Sequence, residues 1–413
     1  MSGAPSVRRR PGVVAVAVLA AGTLVAAGLI TPAGATTGSA SAVGRILGAD
    51  SPTAIPDSYI VVLKDSAVGG PAGTRKPTVT RLATEVTDRF GVRPDHVWGD
   101  ALNGFSVRTT ETIARRIAAH PAVAHVEADQ TVEPATTQAN APWNLDRLDA
   151  YSGLDTTYSY QSQGSGVRAY VLDGGIRTSH LEFGGQAYFG WGIGGYPTSC
   201  HSLHATHIAG TISGTTYGVA KGVVVVDVRV TGCTGTGTWT DLINGVNWVA
   251  ADHLPGAQAV ANISLTGSLS AAVNAAVANL VADGVTTVVA AGNANANACN
   301  YSPASVPTAI TVGTTMANDT RATFSNYGPC LDLFAPGATI VSASNASDTA
   351  VATLSGTSQS TGHASGAAAR VLEANPTWTP AQVHGYLTST ANPVVINPGT
   401  GSPNQFLHVS PLL

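Results

Sequence analysis

Little of this sequence is charged. Asp, Glu, Lys and Arg make up 11% of its 413 residues, well under the roughly 25% that is usual for soluble domains. The formal net charge is −4, and no basic block occurs beyond the N-terminus, which argues against a nucleic-acid partner. Hydrophobic residues make up 44% of the chain, which excludes an intrinsically disordered protein and leaves enough apolar surface for a large core.

Long apolar runs are also missing, with one exception at the N-terminus. Arginines at residues 8–10 precede an apolar run at residues 13–30, and small residues follow it. A positive start, an apolar middle and an A-x-A end are typical of a secretory signal, so we predict that residues 1–35 are a signal peptide that is removed. The alternative is a membrane anchor, for which the run is nearly long enough. We expect a secreted, extracellular protein without membrane attachment after removal of the signal.

Cysteine is scarce, and the four in the chain are Cys200, Cys233, Cys299 and Cys330. In an oxidising compartment an even number of cysteines indicates disulfide bonds, and four cysteines allow three pairings. The alternative is a metal cluster, but no C-x-x-C spacing supports one.

A small unit precedes the main part of the chain. Residues 36–56 are rich in small residues and form a predicted linker. Residues 57–132 show strand and helix patterns in the order βαββαβ, which is that of a small ferredoxin-like α+β domain. Its position suggests a propeptide. Residues 133–140 are mostly polar and lack apolar periodicity, so we predict an exposed linker at which maturation cleavage occurs.

Residues 141–413 alternate apolar strands with helical stretches. The alternation predicts an α/β fold with a doubly wound, mostly parallel sheet and helices on both faces. Asp173 and Asn293 follow strand ends, at the edge where open α/β sheets place their sites. The predicted strands cover residues 167–172, 223–228, 259–263 and 285–290, and the predicted helices cover residues 240–251 and 269–282.

Ser358 follows a turn of small residues and precedes a helix-permissive run. At a helix N-terminus the free backbone N–H groups favour negative charge, so a serine there can act as a nucleophile whose own N–H binds an oxyanion. The structural alternative is a Ser or Thr N-cap on a buried helix. Two upstream residues favour the nucleophile: Asp173 after its strand and His204 in the sequence HATH. Asp, His and Ser in this chain order is the subtilisin arrangement of the catalytic triad.

Two other chemistries fit less well. His201, His204 and His207 form an H-x-x-H-x-x-H run, but catalytic zinc would need an acidic ligand and a general-base glutamate, and no H-E-x-x-H occurs. We therefore expect His207 to be structural. A lipase or esterase would need G-x-S-x-G, and Ser360 replaces the second glycine.

A set of motifs in a fixed order resembles the subtilisin-like serine peptidases, in particular the proteinase K and aqualysin branch. The resemblance covers the chain from about Ile55 to the C-terminus, and its front part resembles the inhibitor-type propeptide of these enzymes. It implies a subtilisin-like catalytic domain and a propeptide that acts as intramolecular inhibitor and chaperone until autocatalytic removal. The motifs are Asp173, HATH with His204, Ala290-Ala291-Gly292-Asn293, Asn300 to Ser305, Phe324 to Gly328, and Gly356-Thr357-Ser358.

The resemblance also implies roles. Ser358 would attack the peptide carbonyl, His204 would take and return the proton, and Asp173 would orient the imidazole. Asn293 would donate its side-chain amide to the oxyanion. The implied partners are polypeptide substrates and the chain's own propeptide. The resemblance also implies a monomer. It implies that the chemistry needs no cofactor. The implied substrate-binding residues are Ser264, Leu265, Thr266, Gly267, Ala290, Ala291 and Gly292.

Three structural features follow from the same resemblance. The aqualysin-like disulfide pairing is Cys200–Cys233 and Cys299–Cys330. A cis peptide bond would join Ser302 to Pro303, because the cis form costs little before proline. A stabilising calcium ion would bind oxygen atoms of Pro307, Ala309 and Asp332.

Several positions near the expected site depart from the family pattern. Gly174 stands where the family has Thr or Ser, Ala205 replaces the glycine of HGTH, and residues 359–363 read QSTGH where MATPH is usual. The spacing from Cys200 to His204 is one residue longer than in relatives. These changes support an alternative, an inactive or weakly active pseudopeptidase that acts as a binding protein.

Thr266 replaces a glycine on the substrate-side wall. A β-branched side chain there would narrow the pocket for the residue that precedes the cleaved bond. We expect small-residue substrates to be favoured over aromatic ones.

Overall fold

The computed structural model describes residues 43–411 apart from residues 50, 52–53, 72, 132–135 and 196–198. The predicted signal peptide, the start of the predicted linker and residues 133–135 of the predicted cleavage linker lie outside the described residues. No helix in the described part of the chain combines the length and the apolar character that a membrane span requires.

The N-terminal unit is a sheet with two longer helices. The strand order β5-β2-β4-β3 is antiparallel throughout and is that of the split βαββαβ unit, with β1 parallel to β5 at one edge. The predicted ferredoxin-like fold is confirmed, although β1 and the start of β2 come from the predicted linker. The elements are β1 (Ile46–Leu47), β2 (Ala54–Leu63), α1 (Asp65–Val68), α2 (Lys76–Asp88), β3 (Pro94–Trp98), β4 (Gly104–Arg108), α3 (Glu111–Ala118) and β5 (Val123–Gln130).

Two sequence periodicities build the core of this unit. Tyr59, Val61 and Leu63 are buried on one face of β2, because alternate side chains of a strand point the same way. Helix α2 covers that sheet with an apolar stripe at helical spacing, which includes Val79 and Val86.

The C-terminal unit is built on a parallel sheet of strand order β16-β15-β13-β11-β8-β10-β9. Short antiparallel pairs join β6 to β7, β12 to β14 and β17 to β18. The elements up to the middle of the sheet are β6 (Thr136–Ala139), α4 (Trp143–Asp149), β7 (Thr157–Tyr160), β8 (Arg168–Asp173), β9 (Ala187–Gly192), α5 (Leu203–Ser213), β10 (Val224–Arg229), α6 (Trp239–Asp252) and β11 (Ala259–Ile263). They continue with β12 (Gly267–Ser268), α7 (Ala271–Ala282), β13 (Thr286–Ala290), β14 (Tyr301–Ser302), β15 (Ile310–Thr315), β16 (Leu333–Pro336), β17 (Ile340–Ala343), β18 (Val351–Leu354), α8 (Thr357–Ala374) and α9 (Pro380–Ser389).

Helices cover both faces of this sheet, as the doubly wound prediction requires. On β8, Ala169 and Val171 pack in the cluster that holds α5 and α8. Tyr170 and Leu172, which point the other way, pack in the cluster that holds α6 and α7. Because strands buried on both faces read as continuous apolar runs, the sequence showed β8, β10, β11 and β13 clearly.

The predicted cleavage linker includes a strand. Its residues Thr136–Ala139 form β6 and pair with Thr157–Tyr160 of β7. Most of β6 is exposed, so its polar sequence has no period-two apolar pattern by which the strand could have been predicted.

Candidate active site

Asp173 and His204 lie side by side at the carboxyl edge of the parallel sheet. Asp173 ends β8 and is buried, and His204 lies in the first turn of α5. His204 Nδ1 is 2.7 Å from Asp173 Oδ2, and Gly174 N donates to Asp173 Oδ1 at 2.7 Å. The Asp173 carboxylate raises the pKa of His204 above its ordinary value, against the opposing effect of burial. Because Nδ1–H faces the carboxylate, Nε2 is the nitrogen that can accept a proton.

Ser358 is the second residue of α8. The N-cap of this helix is Gly356 and makes no side-chain cap hydrogen bond, so the alternative reading of this motif as a Ser or Thr N-cap is wrong. The Ser358 hydroxyl donates to Ser264 O at 3.1 Å. Among the hydrogen bonds of the described residues none joins Ser358 to His204. Catalytic hydrogen bonds often form only when substrate binds.

Asn293 is joined to the turn that carries Ser358. Its Oδ1 accepts from Thr357 N at 2.9 Å and from Thr357 Oγ1 at 3.0 Å. Gly292 N donates to Thr357 Oγ1 at 3.1 Å, and Gly292 adopts φ 103°, a conformation that favours glycine. With its oxygen engaged, the Asn293 amide offers Nδ2 as a donor.

The expected substrate-binding residues form two segments, after β11 and at the end of β13. Thr266 faces the second segment, since an ideal Cβ on Gly292 would lie 3.5 Å from Thr266 Oγ1. The sequence did not single out Trp239, whose ring packs on the backbone of Gly267. An ideal Cβ on Gly267 would lie 2.5 Å from a carbon of that ring. With Leu265, Thr266 and Gly267, Trp239 lines a cavity of about 330 Å³.

Three positions that depart from the family pattern, Ala205, Ser360 and Gly362, are buried in the structure. Ser360 donates to Ala335 O at 3.0 Å. An ideal Cβ on Gly362 would lie 3.3 Å from Thr211 Cβ, so the glycine permits close approach of α5 and α8. Ala205 is fully buried.

The three histidines of the H-x-x-H-x-x-H run do not converge. His207 Nε2 donates to Ile340 O at 2.9 Å, and burial lowers the pKa of His207 to about 4. Burial also lowers the pKa of His201. In the part of the chain that the structure describes, no group of three or more His, Cys, Asp or Glu side chains could hold a metal ion.

Covalent links hold the loops around this edge. The disulfide Cys200–Cys233 joins the loop before α5 to the loop after β10, and Cys299–Cys330 joins two loops farther along the chain. The Ser302–Pro303 peptide bond is cis.

Comparison with known families matches both units. A model of the Subtilase family matches residues 164–407, more than half of the chain. The chain belongs to the subtilase family. It is therefore a serine endopeptidase by class. A model of Peptidase inhibitor I9 matches residues 58–135 of this subtilase, which make up most of the N-terminal unit.

Individual relatives extend the match. The subtilase is 46% identical over 379 residues to the Extracellular serine proteinase of Thermus sp. (strain Rt41A), covering 88% of this chain and 92% of that protein. It is 38% identical over 347 residues to Proteinase R of Parengyodontium album, covering 82% and 84%. The crystal structure of a cold adapted subtilisin-like serine proteinase superposes with a TM-score of 0.62 at 44% identity, covering 66% of this chain and 99% of that one.

Proposed function

We propose that this subtilase is a secreted endopeptidase that hydrolyses peptide bonds through Asp173, His204 and Ser358. The observation that carries the proposal is the 2.7 Å contact between His204 Nδ1 and Asp173 Oδ2. It orients the imidazole and provides a buried negative charge for the imidazolium that forms during the reaction. No cofactor is needed for this chemistry.

The reaction begins when the Ser358 hydroxyl turns from Ser264 O to His204 Nε2 and attacks the substrate carbonyl carbon. His204 takes the hydroxyl proton, and the resulting oxyanion accepts hydrogen bonds from Ser358 N–H and Asn293 Nδ2. Collapse of the tetrahedral intermediate breaks the C–N bond, and His204 gives its proton to the leaving amine. Water then releases the acyl group by the same steps.

We further propose that the chain is made as a self-processing precursor. Residues 1–35 would be the signal peptide, 36–56 a linker, 57–132 the propeptide, 133–140 the cleavage linker and 141–413 the catalytic domain. The family match to a peptidase inhibitor over residues 58–135 supports the inhibitory role of the propeptide. A relative named extracellular supports export.

Calcium has no role in this proposal. Asp332 Oδ2 accepts from Thr311 N at 2.7 Å, and Asp332 Oδ1 is 3.1 Å from His384 Nε2. The hydrogen bond to the Asp332 carboxylate raises the pKa of His384. A calcium ion held by oxygen atoms of Pro307, Ala309 and Asp332 stays a prediction, separate from the catalytic steps proposed here.

Fluorophosphonate labelling of the secreted protein tests the proposed function. We expect labelling that disappears in Ser358→Ala and persists in Ser360→Ala, a matched control in the same helix whose hydroxyl donates to Ala335 O. N-terminal sequencing of the secreted product should place the new N-terminus within residues 133–141. Folded protein that neither labels nor loses residues 57–132 would instead be the pseudopeptidase.

A further inference from the structure

The first turn of α8 is held by side chains rather than by a helix cap. Gly356 provides no cap, but Thr361 Oγ1 donates to Thr357 O at 2.7 Å and His363 Nδ1 donates to Gln359 O at 2.9 Å. Gln359 follows Ser358 directly. Beside the hydrogen bond from Thr357 N to Asn293 Oδ1, the position of the nucleophile therefore depends on what holds these two carbonyl groups.

The His363 ring is fully buried, and each of its nitrogens has a partner. Nδ1 faces the Gln359 carbonyl, so Nδ1 carries the proton. Nε2 lies 2.8 Å from Asn144 Nδ2, and because an amide NH2 can only donate, Nε2 must be the acceptor. Burial lowers the pKa of His363 to about 4, so the ring stays neutral in this tautomer near neutral pH.

Asn144 connects this ring to a different part of the fold. His363 and Gln359 belong to one helix, so the bond between them cannot fix that helix against its surroundings. Asn144 lies in α4, shortly after the predicted cleavage linker, and is 1% exposed. Its Oδ1 makes no hydrogen bond within the described residues, which leaves the bond to His363 as the polar contact that this amide provides. Burying an amide whose oxygen has no hydrogen bond costs free energy, so packing alone does not account for an asparagine at this position.

We propose that Asn144 is a positioning residue for the nucleophile: acting through His363 and the Gln359 carbonyl, it fixes the first turn of α8 and the Ser358 within it. The first helix of the predicted mature enzyme thereby sets the reactivity of a serine far along the chain. This inference rests on the proposed function, in which Ser358 attacks the substrate.

Asn144→Ala tests the proposal, with Tyr158→Phe as the matched control. Tyr158 in β7 also bonds to α8, through Arg370 Nη1 at 2.9 Å, but at the far end of the helix from Ser358. Both variants should lower the melting temperature. Below both transitions, Asn144→Ala should reduce kcat and the second-order rate of fluorophosphonate labelling about tenfold, because small misplacement of a reacting group is costly. KM should stay unchanged, and Tyr158→Phe should keep the parental rates.

The NMR chemical shift of His363 Nε2 reports whether this nitrogen carries a proton. A change in the stability of the fold alone does not alter it. The parent should show an unprotonated Nε2, and Asn144→Ala should show a mixture of tautomers. If Asn144→Ala does not fold, His363→Gln replaces it with the same expected fall in labelling rate. Parental labelling rates in the folded variant would overturn the proposal. A parent that does not label, or a Ser358→Ala variant that labels equally, would instead overturn the proposed function.

Discussion

Ser202 occupies the space that a side chain on residue 174 would need. An ideal Cβ on Gly174 would lie 2.8 Å from Ser202 Cβ. Ser202 N donates to Gly175 O at 2.8 Å, and the Ser202 hydroxyl caps α5 by accepting from Ala205 N at 3.4 Å. The glycine after Asp173 and the serine in the lengthened loop before His204 are therefore complementary.

Gly174→Ser should destabilise this chain although it restores a residue that the family uses. The new side chain collides with Ser202, and overpacking of this kind costs about 1–3 kcal/mol. Urea unfolding measures the loss. Gly194→Ser is the control, because nothing lies within 4 Å of a Cβ at that exposed glycine. Equal unfolding midpoints for the two variants would contradict the prediction.

Thr266→Gly should widen substrate preference. Thr266 faces Gly292 across the expected pocket, and removal of its branched side chain leaves room for a larger group before the cleaved bond. The ratio of kcat/KM for aromatic over small-residue peptides should rise about tenfold or more, the effect of one or two carbon groups in a pocket. An unchanged ratio would show that Thr266 does not shape the pocket.

Asn293→Asp should separate the catalytic role of Asn293 from its structural role. The aspartate keeps an oxygen for Thr357 N and Oγ1 but cannot donate to an oxyanion. We expect near-parental stability and a loss of about 10²–10³-fold in kcat, a range measured for this type of donor in a related subtilisin. Asn293→Ala should lose both stability and rate. Parental kcat in the aspartate variant would remove Asn293 from the oxyanion site.

The pKa of His204 should depend on Asp173. The carboxylate stabilises the imidazolium, so His204 should titrate above its ordinary value of 6.5. Activity should accordingly fall as the pH decreases through that raised pKa, because a protonated base cannot accept the serine proton. NMR titration in a Ser358→Ala background, assigned with His204→Gln, measures the pKa. Adding Asp173→Asn should lower it, and no shift would contradict the assigned contact.

His207 should make the folded state sensitive to acid. Its pKa falls from 6.5 to about 4 on burial, so between these values the unfolded chain binds a proton that the folded chain does not. The free energy of unfolding therefore decreases as pH falls from 6.5 towards 4, by about 2 kcal/mol between pH 7 and pH 5 from this residue. His207→Gln should remove this contribution to the pH dependence. Urea unfolding at pH 7 and pH 5 measures the free energy of unfolding of both proteins. An identical pH dependence in the variant would contradict this account.

The sequence by itself determined the fold class, the order of the two units and the residues that its motifs single out. Apolar runs marked the buried strands β8, β10, β11 and β13, because strands covered on both faces have few polar positions. Motif residues such as Asp173, His204 and Ser358 stand out locally, since each follows a strand end or opens a helix.

Tertiary structure alone decided the contacts between residues far apart in the chain. The fit of Ser202 to Gly174, the hydrogen bond from Asn144 to His363, and the pairing of His384 with Asp332 have no local pattern that predicts them. Each depends on which elements the fold packs together and on the direction of individual side chains. Local sequence sets propensity and periodicity, whereas these partners are set by packing at distances that the chain order does not encode.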